Sequence, residues 1–196
     1  MSQSLADIPN RFFYVNKLVT PAHLNEPASW HQESLLDKFV WIDVTVGTEE
    51  VKKTGPPSRF RHQEVAATAA LLRHFAPFRS PDSPPSIGVA SMYSAQADLM
   101  RTMLARYTGV DFHTVDAYHG KEKDIIILSL VRCGGHLGFV DEWGRINAAI
   151  TLAKKSLWIV GSLSTFEGEP VWSYITKKAV DTARVFKVSP LPSAFY

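Results

Sequence analysis

The chain has 196 residues, 45% of them hydrophobic and 20% charged, with a formal net charge of +2; this suits one domain large enough to close a core and lacks the cationic excess of a dedicated electrostatic binder. A single cysteine, Cys133, excludes an internal disulfide and any cysteine-cluster metal site, and fits a reducing, intracellular compartment. No secretory signal is visible at residues 1–5, and the longest apolar run, within 124–131, is strand-sized rather than membrane-sized, so no membrane association is expected.

Residues 1–38 are punctuated by Pro9, Pro21 and Pro27 and read as an irregular N-terminal arm laid over the rest. The β-branched and aromatic run 39–46 predicts a strand, and 52–58 a loop. Over 61–75, Val65, Ala69, Leu72 and Phe75 recur at helical spacing. A proline-rich loop, 79–86, leads into a short buried strand, 87–90, and then into a helix capped by Ser94, with Ala97, Met100, Leu104 and Tyr107 on one face and Gly109 at its end. Residues 111–115 and 124–131 read as strands, 145–154 as a helix, 156–160 as a strand closed by Gly161, and 170–179 as containing a last helix; 181–196 is read as a tail.

Strands alternating with helices predict an α/β fold over 39–180, its sheet mostly parallel with helices on both faces. Ligands of such sheets bind beyond the carboxyl ends of the strands, which directs attention to the segments after Ala90, Val115, Val131 and Val160.

The segment Thr114-Val-Asp-Ala-Tyr-His-Gly-Lys-Glu-Lys-Asp124 joins two of these strands. Gly120 frees the backbone to approach a phosphate, Lys121 offers a cation, and Glu122 can bond a sugar hydroxyl or a water. A solvated connector with a turn glycine fits the same composition. The pair Gly120-Lys121 is no P-loop, since the residue five positions earlier is Val115 and the next is Glu122. Asp141-Glu142 follows too short an apolar run to be a metal-binding strand end and reads as a polar lead into the helix at Arg145. The seven histidines show no ligand pairing, so no metal site is expected.

Three ordered segments resemble the C-terminal RecA-like domain of superfamily 1 helicases of the DNA2/NAM7-like type, the branch that includes the nonsense-mediated-decay helicase. They are Ile87-Gly-Val-Ala-Ser-Met-Tyr-Ser-Ala-Gln96, the run from Thr114 through Arg132, and Gly138-Phe139 with Gly144-Arg-Ile-Asn-Ala-Ala-Ile-Thr-Leu-Ala-Lys154 and Leu157-Trp-Ile-Val-Gly161. Residues 8–18 resemble the family's stretch that ends in Phe-Tyr-x-Gly-x-Leu. The resemblance implies a RecA-like P-loop NTPase fold without a P-loop of its own. It also implies that Tyr93, Gln96 and Thr114 lie along single-stranded RNA or DNA, and that Gly120, Lys121, Glu122 and Arg145 face a nucleotide. ATP and Mg2+ are then expected only in combination with an upstream RecA-like domain, with other proteins as further partners.

Three positions depart from the family pattern. Leu152 stands where the family has an arginine that reaches the γ-phosphate, His119 replaces a glutamine, and Met92 replaces a proline. Lys154 and Lys155, read as helical, point away from the lost arginine's place. Loss of such a finger removes on the order of 10³–10⁵ in rate. The resemblance therefore supports two readings: half of an active motor, or a catalytically inactive binding module.

Overall fold

The computed structural model describes residues 1–80, 82–118 and 121–188. Its centre is a six-stranded, wholly parallel sheet in the order β5-β4-β6-β7-β1-β8. Here β1 is Phe39–Asp43, β4 Ile87–Ser91, β5 Val110–Thr114, β6 Lys123–Ser129, β7 Ala153–Gly161 and β8 Val185–Lys187; β2 (Glu50–Val51) and β3 (Arg59–Phe60) form a separate antiparallel hairpin. Five helices accompany them among the described residues: α1 (Gln3–Phe12), α2 (His62–Phe75), α3 (Ser94–Met103), α4 (Trp143–Thr151) and α5 (Pro170–Asp181).

The central strands alternate between two cores, as the two-residue side-chain period requires. Ile125 and Ile127 of β6, with Trp158 and Val160 of β7, pack under α2 and α3. Ile126, Leu128, Leu157 and Ile159 pack on the opposite face with α1, α4 and α5. Both faces are covered, which explains why these strands read as nearly continuous apolar runs. This is the α/β, RecA-like arrangement that the resemblance implies.

Several local expectations differ from what forms. The first residues are helical rather than irregular: Leu5 and Ile8 on α1 are each 1% exposed and sit in the core with α4 and α5. Pro9 lies beyond the first turn, so α1 forgoes the bond that an amide there would make to the Leu5 carbonyl, and the packing of Leu5 and Ile8 holds the helix despite it. The chain then passes the amino ends of the strands, and Trp30 and Leu36 close the opposite core. Asn16 occupies the glycine position of the N-terminal resemblance and has φ +57°, the left-handed conformation asparagine adopts more readily than other side chains.

Ser94 is the first residue of α3, not its cap; the cap position is Tyr93, and Ser58 Oγ from the loop before β3 accepts the Ala95 N–H at 3.0 Å. Helix α4 stops at Thr151, so Lys154 and Lys155 belong to β7. Lys155 lies 5.9 Å from the Trp30 ring centre. The sheet also continues past residue 180, since Val185–Lys187 pairs with β1.

Candidate functional site

The segment that joins β5 to β6 carries the matched residues from one edge of the sheet to the other. Both strands run parallel to β4, with Ser91 level with Thr114 and with Ser129. Thr114 is therefore at the carboxyl edge, whereas Lys121 and Glu122 precede β6 at the amino edge. Between them Val115 and Tyr118 are buried against the face that holds α1, α4 and α5. Tyr118 Oη donates to the Asp111 carbonyl at 2.7 Å, and burial pushes its phenol upward in pKa. The ring crosses β4 at Gly88, where an added Cβ would stand 2.6 Å from Tyr118 Oη; only glycine leaves that passage open. Gly120 and His119 lie outside the described residues.

A pocket of about 340 Å³ opens at the amino edge, lined by Lys121, Glu122, Thr151, Leu152, Tyr14 and Thr20 among others. Lys121 and Glu122 are exposed there. Leu152 caps the carboxyl end of α4, and its carbonyl accepts the Lys123 N–H at 3.0 Å. It is 7% exposed and offers only apolar surface. Of the residues assigned to a nucleotide, Lys121 and Glu122 line this pocket, beside Leu152. Arg145 does not join them. Helix α4 runs against the strands, and the seven residues from Arg145 to Leu152 separate them by roughly 10 Å. Arg145 instead pairs with Asp116 at 3.4 Å and Glu142 at 3.1 Å near the carboxyl edge. Asn147 donates to Tyr14 Oη at 3.1 Å.

A second pocket, of about 470 Å³, lies at the carboxyl edge. The hairpin supplies Ser58 and Arg59, the start of α3 supplies Tyr93, and the loop after β6 supplies Arg132, His136 and Phe139. Glu49 Oε1 ties the two guanidiniums together, at 2.7 Å from Arg59 and 2.8 Å from Arg132. Arg132 also donates to the His136 carbonyl. Tyr93 Oη donates to the Leu137 carbonyl at 3.3 Å, and burial raises its pKa. Thr114 stays at the strand end, its Oγ1 accepting the Ala117 N–H at 3.3 Å.

Gln96 is not part of that surface. It is fully buried: its Oε1 accepts the Arg61 N–H at 2.8 Å, and its Nε2 donates to Ser129 Oγ at 3.0 Å. Ser129 in turn donates to Glu64 Oε2 at 2.6 Å, and Glu64 also accepts the Val131 N–H at 3.0 Å. Arg61 sits 3.4 Å from Glu64 and donates to the Val44 and Val46 carbonyls, each at 2.8 Å. Desolvation raises the Glu64 carboxyl to about 7, against the opposing pull of Ser129, Val131 and Arg61. The network holds Val131 at φ +69°, a costly conformation for a β-branched residue, and so aims Arg132 into the carboxyl-edge pocket. Among the described residues no group of three or more His, Cys, Asp or Glu side chains gathers as a metal site, and no helix is long and apolar enough to cross a membrane.

A family model described as an AAA domain matches residues 1–164. The chain belongs to the superfamily 1 helicases of the DNA2/NAM7-like type. Helicase relatives align over nearly all of it. A probable helicase, MAGATAMA 3 of Arabidopsis thaliana, is 29% identical over 100% of this chain and 25% of its own length. Helicase SEN1 of Saccharomyces cerevisiae is 29% identical over 92% of the chain and 9% of its own length. The DNA replication ATP-dependent helicase/nuclease dna2 of Schizosaccharomyces pombe is 31% identical over 90% and 12%. The helicase domain described here thus spans a quarter or less of each of these relatives.

Arg59, Glu49 and Phe139 carry no site assignment in the sequence reading. In the sequence Arg132 stands only as the last residue of the second matched segment, and Phe139 only within Gly138-Phe139.

Proposed function

We propose that the chain is the C-terminal motor domain of an ATP-dependent RNA or DNA helicase. In this reading the amino edge contributes half of an ATP site and the carboxyl edge part of a single-strand surface. The observation that supports it best is that one matched segment begins with Thr114 on one edge and within eight residues reaches Lys121 and Glu122 on the other. A strand at the first edge and a nucleotide at the second are then joined by a single short run of chain.

The amino-edge pocket is at the small end of the range for ligand sites and fits part of a nucleotide. Lys121 supplies a cation for phosphate oxygens, and Glu122 a carboxylate that can orient a hydroxyl or a water. ATP supplies the phosphoryl group whose transfer drives the motor. Lys121 suits phosphate, and the Mg2+ that accompanies ATP would take its main protein ligands from an upstream RecA-like domain bearing the P-loop. At the carboxyl edge Thr114 offers a hydroxyl to an unpaired strand; Tyr93, only 5% exposed, forms part of the pocket wall behind it, and Gln96 lies fully buried beneath.

Leu152 favours a second reading, a catalytically inactive domain that binds nucleic acid or proteins. It is apolar, nearly closed off, and stands at the one place where the family pattern puts a phosphate-directed arginine. Strand-stimulated ATP hydrolysis by a polypeptide carrying this chain behind a P-loop domain separates the two. Slow turnover that Leu152→Arg raises, by roughly 10³–10⁵ at most, supports a motor weakened at this position. Fast turnover that Leu152→Arg leaves unchanged refutes the weakening, and no turnover by either protein leaves the binding module.

A further inference from the structure

Phe139 is 48% exposed, on the single 3-10 turn Gly138–Asp141 that leads into α4. One exposed phenylalanine is ordinary on a protein surface; this one is held in place on several sides. Val140, the next residue, is fully buried, and its carbonyl accepts the Trp172 indole N–H at 2.7 Å, so the turn cannot roll Phe139 inward. The Arg145 guanidinium lies 4.8 Å from the Phe139 ring centre, within cation–π range. Asp116 and Glu142 hold that guanidinium from two directions. Tyr93 stands 6.2 Å away, centre to centre, with the rings tilted by 53°. Gly138 takes φ +62°, a conformation that favours glycine, and lies beside Tyr93.

We propose that Phe139 is a stacking platform for an unpaired base of the strand, and that Arg145 positions it. The inference rests on the strand-binding reading of the carboxyl edge and extends it to residues that reading does not use. It reassigns Arg145, whose place away from the amino-edge pocket leaves it no nucleotide to hold. Charge favours a base over a phosphate as the partner. The same pocket carries Arg59, Arg132 and His136 but also Asp141 and Glu142, and Glu49 neutralises part of the arginine charge. A surface so nearly balanced gains little from the sugar-phosphate backbone, whereas a clamped, half-open ring offers a face that any base can cover.

The test compares fluorescence-anisotropy titrations of this domain with a labelled single-stranded oligonucleotide and with the same strand made abasic throughout. Wild type is expected to bind the base-bearing strand more tightly. Phe139→Ala should weaken that binding by about tenfold, the effect of one lost base–aromatic stack, while changing affinity for the abasic strand by less than about twofold. Phe139→Trp should restore it, and Arg145→Gln should fall between, because the ring survives without its clamp. A variant that had lost its fold would lose both strands together. Equal discrimination between the two strands by wild type and Phe139→Ala overturns the proposal while leaving strand binding intact. If wild type binds neither strand, the strand-binding reading falls and takes this inference with it.

Discussion

At the scale of single residues, Glu64 and Gly88 make the sharpest demands. Glu64 is enclosed with the Arg61 guanidinium and two donors, Ser129 Oγ and the Val131 N–H. Glu64→Ala leaves that cation buried without its carboxylate, and should destabilise the domain by roughly 3–5 kcal/mol in urea titrations. Glu64→Gln keeps an acceptor oxygen and should cost less. The carboxyl's folded pKa of about 7 exceeds its ordinary 4.5, so the native state holds the proton more firmly between those values. Its contribution is complete below pH 4.5 and is lost as pH rises through 7. The wild-type stability should therefore fall relative to Glu64→Gln across that window; parallel profiles for the two proteins would refute the assignment. Gly88→Ala drives a methyl against Tyr118 Oη and Ile126 Cδ1, an overpacking worth about 1–3 kcal/mol, and Tyr118→Phe should relieve part of it in the double variant. Neither residue announces itself in the sequence. Glu64 falls on a helix whose apolar spacing reads correctly, but a period cannot show that another element reaches over the polar side to enclose it.

At the scale of elements, the boundaries that moved did so because of partners distant in sequence. Ser94 has the chemistry of a cap and the right place by eye, yet Ser58 performs the task from 37 residues upstream. Ser58→Ala should lower the denaturation midpoint by an amount corresponding to about 1 kcal/mol, with Ser94→Ala having the smaller effect. The reverse order would mean that Ser94 caps α3 after all. Helix α1 was hidden by Pro9, and β8 by its three-residue length; both are held by tertiary packing rather than local propensity. His31 shows the same dependence. Its Nδ1 accepts the Ala28 N–H at 3.0 Å while Nε2 lies 2.9 Å from Ser156 Oγ. Burial lowers its pKa to about 4, so stability present above pH 6.5 is lost as pH falls toward 4, opposite in sign to Glu64. His31→Gln should flatten that acid limb.

For the whole molecule, the two-edged layout makes salt dependence informative. Arg59 and Arg132 share Glu49, so single-strand affinity should fall with log salt at a slope no steeper than about −2; a much steeper slope measured by anisotropy would mean that phosphates, not bases, dominate. The sheet's class and strand pattern were legible because its central strands are buried on both sides and carry unbroken apolar runs. The matched segments located both edges, but spacing alone could not reveal that one motif crosses from edge to edge, nor that Arg145 and Leu152 sit at opposite ends of one helix. The strand order carries another consequence. Trp41 of β1 lies between Ile159 and Val185, neighbours more than a hundred residues away along the chain. On a ribosome adding about 5–20 residues per second, β1 waits on the order of ten seconds for its first partner. Through that interval its apolar side chains depend on α2, the growing core or a chaperone to stay out of trouble.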